Sequence, residues 1–119
     1  GYVMPKGEVP KLAVAVLDPR GCLKAYQAED GTSLMRFDIA FGKAWGALGM
    51  GFGNRELQRR AEAYNMFFNS VPGGVLIRND AGALVGAVGI SGDSSDNDEI
   101  CAVHGIAAAG LKADTGDPF

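Results

Sequence analysis

His104 is the only histidine among the 119 residues. Helical spacing puts Ile100, Val103, Ala107, Ala108 and Leu111 on its side of a helix that starts near Asp96. An imidazole nitrogen set in an apolar wall can ligate haem iron. The alternative is a core or interface histidine satisfied by one hydrogen bond. No recognisable carboxylate orients the ring, which argues against acid–base catalysis. The second set of candidates is backbone. Amides at Gly73-Gly74 and at Ser91-Gly92 can hold a carboxylate, the latter beside a helix start. Asp96, Asp98 and Glu99 already place negative charge there, so the same amides also read as an ordinary helix cap. Lys43 and Arg36, on an earlier helix, either supply the positive partner of a bound anion or lie on the surface.

Other reactive side chains form no recognisable centre. Asp93, Asp96, Asp98 and Glu99 lack the order and distal glutamate of a calcium loop. Met4, Met35, Met50 and Met66 are iron ligands in some settings and gap-filling apolar groups in most. Cys22 and Cys101 fit no CxxC, CxxCH or zinc spacing. Free buried thiols in a reducing cytoplasm are the favoured reading, with one disulfide as the alternative.

These groups need elements to position them. Residues 11–17 (KLAVAVL) are valine-rich and read as a strand covered on both faces. Asp18-Pro19-Arg20-Gly21 turns the chain into a second strand over residues 22–29, which makes a hairpin. Thr32 or Ser33 can cap the helix that follows. Its apolar stripe is Leu34, Phe37, Phe41, Ala44, Trp45 and Leu48, flanked by a ridge of Gly42, Gly46 and Gly49. GMGFGN, residues 49–54, stops this helix; it has neither the strand context nor the Lys-Ser/Thr of a phosphate loop. A second helix is expected over residues 55–68, with Met66 and Phe67 reaching toward a partner subunit. A turn at Pro72-Gly73-Gly74 opens a hairpin of two apolar strands, 75–77 and 84–90, and the helix bearing His104 follows. The order β-β-α-α-β-β-α implies an α+β domain, an antiparallel sheet flanked by helices. Residues 1–10 read as an extended arm and residues 112–119 as a loose tail of one domain, 1–119.

Composition narrows the function class. With 47% apolar and 21% charged residues the chain is that of a folded globular protein. A net charge of −3 spread along the chain offers no footprint for nucleic acid. No apolar run approaches the ~18 residues of a membrane span. The opening residues are not a signal peptide, so a cytoplasmic location is expected; a leader removed before residue 1 would instead make the protein secreted.

PGGVLI, the strand end VGAVGISG and the following D-N-D-E-I-C-A-x-x-G-I resemble the GlcG/HbpS family. The resemblance extends upstream through LAVAVLDPRGCLKAYQAEDG and the helix holding Asp38-Ile39-Ala40 and Lys43-Ala44, and covers roughly residues 11–111. The family includes haem-binding and haem-degrading HbpS-like proteins and the C-terminal domain of PduO-type corrinoid adenosyltransferases. It implies a profilin-like sheet-and-helix domain, a homo-oligomer between dimer and octamer, and haem or a related tetrapyrrole as ligand. Relatives open with a helix where this chain has its Pro/Gly arm. Close subunit contacts would fall on the glycine ridge and on Ala102, Gly105 and Ala109. The implied function is small-ligand binding, for which the residues themselves offer His104, Lys43, Gly73, Gly74, Ser91 and Gly92 as ligand-contacting candidates; His104 matches no established ligand of the family. Two other classes stand beside it. One is a non-catalytic accessory protein of a catabolic pathway, which suits a sequence without a catalytic constellation. The other is an enzyme on a small organic acid held by the Gly73-Gly74 and Ser91-Gly92 amides.

Overall fold

The computed structural model describes residues 11–51, 53 and 73–116. The arm at 1–10, the helix expected over 55–68 and Pro72 lie outside the described residues. Among the described residues the elements are, in order, β1 (Ala13–Leu17), β2 (Leu23–Ala28), α1 (Met35–Met50), β3 (Gly74–Arg78), β4 (Leu84–Ser91), α2 (Ser95–Ala108) and β5 (Lys112–Asp114). The strands form one sheet in the order β2-β1-β4-β3-β5, every neighbouring pair antiparallel. This is the expected α+β architecture. Lys112–Asp114, expected in the loose tail, instead pairs with β3 as β5, where the Asp114 carboxylate accepts from Arg78 Nε at 2.9 Å.

Both hairpins turn on a short acid or amide. Asp18 Oδ1 accepts from the amides of Arg20 (2.9 Å) and Cys22 (3.0 Å), closing the β1–β2 turn. The Cys22 amide above all, with Arg20 and Lys24 nearby, holds the Asp18 carboxyl below its ordinary range. Asn79 Oδ1 does the same for the amides of Ala81 and Ala83 in the β3–β4 turn.

Strand alternation gives the sheet two unlike faces. One face presents Ala13, Ala15, Leu17, Leu76 and Ala87 to α1, which answers with Ala40, Ala44 and Ala47, all fully buried. The other presents Val75, Ile77, Val88 and Ile90 to Ala102 and Ile106 of α2. Complete burial of a side chain such as Leu17, Leu76 or Val75 stabilises the fold by about 2 kcal/mol. The two helices thus cover opposite faces.

Small side chains let α1 lie almost on the sheet. At Gly89 of β4 a Cβ would collide with the Ala40 carbonyl oxygen. Of the stripe expected from the sequence, Ala44 is buried and Phe41 and Leu48 pack against its core, but the centre of the contact is alanine. Leu34 is 94% exposed and Trp45 54%, whereas the alanines are covered. Large residues cannot enter a contact this close, and they take the flank of the helix. Neither Thr32 nor Ser33 caps α1 with its side chain: Leu34 holds the N-cap position, and the Thr32 hydroxyl donates to the Glu29 carbonyl instead. The helix ends as expected in the glycine-rich stretch, where the Gly51 amide donates to the Ala47 carbonyl at 2.9 Å.

Gly89→Val should destabilise the fold by about 3 kcal/mol, because α1 backbone rather than a flexible side chain must move. Urea denaturation checks this; an unchanged midpoint would mean that α1 docks more loosely than described.

Candidate functional site

Two features of the fold can do chemistry, and α2 contributes to both. The first is a buried ion pair at the end of the β3–β4 hairpin. Lys43 sits in the alanine stripe of α1, at the three- and four-residue spacing that also buries Ala40, Ala44 and Ala47. Its side chain passes the glycine backbone where β3 begins and β4 ends. Nζ donates to the Ile90 carbonyl at 2.9 Å and to Asp98 Oδ2 at 3.0 Å. Side-chain exposure is 3% for Lys43 and 1% for Asp98. The other Asp98 oxygen accepts from the Asp93 amide at 3.0 Å. Lys43 was expected on the surface or beside a bound anion; the carboxylate beside it is Asp98.

The surrounding glycines serve this pair. Gly73, at φ +123°, has no room for a side chain: a Cβ would lie 2.8 Å from Lys43 Nζ and 3.0 Å from the Ile90 oxygen. Its own carbonyl accepts from the Ile90 amide at 3.0 Å. Gly74 opens β3 opposite Gly89. Ser91 is buried at the end of β4, and its hydroxyl accepts from Arg36 Nη1 at 3.0 Å. Ser94 caps α2, its hydroxyl accepting from the Asn97 amide at 3.2 Å, so the helix-cap reading of this loop holds.

Burial pushes the Asp98 carboxyl up, against the pull of Lys43 and the Asp93 amide. A raised carboxyl binds its proton more tightly in the folded than in the unfolded chain. Its titration therefore favours the fold below the ordinary value of 3.8, and that contribution falls away as pH rises through the folded value.

The second feature is an apolar groove of about 510 Å³ between α2 and the sheet. It exists because α2 packs on β3, β4 and β5 and leaves β1 partly bare. Val14, Val16 and Leu12 form one wall; Cys101, Gly105 and Ala109, at four-residue steps on α2, form the other. A Cβ at Gly105 would meet nothing within 4 Å. A concave, carbon-lined space of this size is the usual form of a small-ligand site.

Of the six ligand-contacting residues expected from the sequence, five gather near the ion pair: Lys43, Gly73, Gly74, Ser91 and Gly92. His104 stands apart, six residues or about 9 Å along α2 from Asp98. It is exposed, as are Ile100, Ala107 and Ala108. The apolar stripe expected around the imidazole is thus not the buried one, which runs through Asp98, Ala102 and Ile106. Asp98 was read only as a cap-region acid, and its pairing was missed. A lone lysine inside an alanine stripe was the signal that called for a buried acid. Cys22 is exposed and Cys101 half-buried, both as free thiols. No described helix is long and apolar enough to cross a membrane.

The profile of the family described as "Haem degrading protein HbpS-like" matches residues 6–107, most of the chain. The chain belongs to the HbpS-like family. Solved structures agree with the fold. A PduOC:heme complex is 26% identical over 86% of this chain and 80% of its own, with a TM-score of 0.73. A double mutant of Streptomyces reticuli HbpS is also 26% identical, over 83% of this chain and 71% of its own, with a TM-score of 0.73. Klebsiella pneumoniae protein ORFY, 23% identical over 83% and 77%, shares the fold with a TM-score of 0.68. No curated protein matches the chain by sequence.

Lys43→Met should cost roughly 3–5 kcal/mol, since it strands a buried carboxylate. Lys43→Met with Asp98→Asn should recover at least half of that, because the amide oxygen still accepts from Asp93 while no charge stays buried. Thermal or urea unfolding of the two variants decides between these outcomes. In Asp98→Asn alone the raised carboxyl is gone. The stability of the unaltered protein relative to this variant should therefore grow as pH falls from neutrality toward 3.8.

Proposed function

We propose that this protein binds haem or a related tetrapyrrole, with the apolar groove beside α2 as the seat of the macrocycle. The groove carries the reading: its volume and carbon lining suit a flat ligand that is apolar on both faces. Membership of the HbpS-like family, and the heme held by the structurally similar PduOC, support that ligand class. The ion pair then acts on the ligand through position. Lys43 and Asp98 hold the start of α2, and with it the wall formed by Cys101, Gly105 and Ala109. His104 is a second seat for iron, on the exposed side of α2. The reading includes self-association into a homo-oligomer and, given two free thiols, a reducing cytoplasmic setting.

A specific observation keeps the small-acid alternative behind this one. Directly after the expected Ser91-Gly92 amides, the Asp93 amide donates to Asp98, so that part of the loop has its charge partner within the chain itself. The accessory-protein alternative is tested by the same experiment, since it predicts no chromophore.

Hemin titration of the purified protein, followed in the Soret region, should saturate at a fixed stoichiometry. Gly105→Phe, which points a ring into open groove space, should weaken binding at least tenfold with folding unchanged. If His104→Ala alters the spectrum and Gly105→Phe does not, the iron sits at His104 and the groove is not the seat. Unsaturable binding, indifferent to both changes, would leave the accessory role standing.

A further inference from the structure

The flank of α1 that faces β2 is aromatic and open. Phe37, Phe41 and Trp45 recur at four-residue steps and make one row along the helix. The Phe37 ring meets Tyr26 of β2 edge-on at 4.8 Å and lies 5.7 Å from Phe41. Trp45 reaches the β1–β2 turn, its Nε1 3.3 Å from where a Cβ on Gly21 would lie. The row therefore runs alongside β2. Trp45 stays 54% exposed, and Leu23 on β2 is 44% exposed. Grouped exposed apolar side chains mark contact surfaces, and aromatic residues are their usual anchors.

Among the described strands β2 is also an edge of the sheet, and every residue in it except Tyr26 is exposed. An open edge strand is a template for another strand. Its charges select the partner: Lys24 stands near one end and Glu29 and Asp30 follow the other, all exposed. Two copies paired antiparallel bring each Lys24 to the acidic end of its neighbour, twice by symmetry. Each side chain also has a local contact: Glu29 accepts from the Leu12 amide at 2.9 Å, and the exposed Lys24 ammonium lies 3.9 Å from the largely buried Asp18 carboxylate, too long for a strong pair. The two-fold axis of such a pairing is perpendicular to the sheet. Both α1 helices then lie on one face, with their aromatic rows meeting across the junction.

We infer that β2 and the Phe37–Phe41–Trp45 row form a self-complementary interface through which two copies of this chain pair edge strand to edge strand. This rests on the self-association in the reading above and is independent of the groove.

The test uses charge reversal, with circular dichroism confirming that each variant is folded. Lys24→Glu sets acid against acid at both ends, and the double variant Glu29→Lys with Asp30→Lys sets base against base. Each alone should sediment as the smaller species, whereas an equimolar mixture, complementary at both ends, should regain the association of the unaltered chain. Trp45, the only tryptophan, reports independently: its emission should shift to the blue as the unaltered protein is concentrated through the micromolar range. A protein that sediments as a monomer at micromolar concentration overturns both the interface and self-association. A protein that associates with Trp45 emission unmoved, or whose charge variants associate unchanged, keeps self-association and overturns this surface.

Discussion

The Lys43–Asp98 pair is the constraint on which the arrangement of the other elements depends. The two helices lie on opposite faces of one sheet, and these two side chains join them around the end of the β3–β4 hairpin. Taking both charges out of water is expensive, and the attraction between them does not fully offset that cost, as the raised Asp98 carboxyl indicates. Such a pair adds geometry more than stability. Lys43 must find both the Ile90 carbonyl and Asp98, which sets where α1 sits along the sheet and where α2 begins. Gly73 is part of the same constraint, since any side chain there would occupy the path of the ammonium.

The two faces of the sheet solve different packing problems. Against α1, alanine meets alanine and Gly89 meets backbone, so the contact is close. Against α2, the sheet offers Val, Ile and Leu, and the helix sits toward β5. The space left beside it is apolar because the β1 residues pointing that way, Val14 and Val16, alternate with the alanines of the other face. The groove follows from which face received the large side chains and from where α2 was anchored.

Much of the fold was legible in the sequence, because it rests on local signals. The valine-rich runs and the Asp18 turn each need only neighbouring residues, and they fell close to where they were expected. β5 was not legible: Lys112–Asp114 has no apolar alternation, and it becomes a strand only because β3 offers it an edge. The burial of α1 was legible only in part, in Phe41, Ala44 and Leu48 but not in Leu34 or Trp45, for a related reason. Hydrophobicity alone favours Phe and Trp as the inward stripe, but backbone proximity at Gly89 admits only alanine, and that proximity is a property of the assembled sheet.

The candidate site shows the same limit more sharply. The fold brings Lys43 and Gly73 together beside Ile90, next to Gly74, Ser91 and Gly92 in the chain, around an internal ion pair. What surrounds a charge cannot be read from its neighbours in sequence: Asp98 lies 55 residues from Lys43. The loop before α2 has the donors of an anion site, yet Asp98 folds back onto the Asp93 amide and Ser94 onto Asn97. An external carboxylate would have to displace an internal one that is already buried, bonded and paired. A ligand held by apolar contact meets no such competitor in the groove, where the described lining residues present carbon surface and one thiol. The charged cluster thus satisfies its own donors and acceptors, whereas the groove beside α2 is lined by carbon.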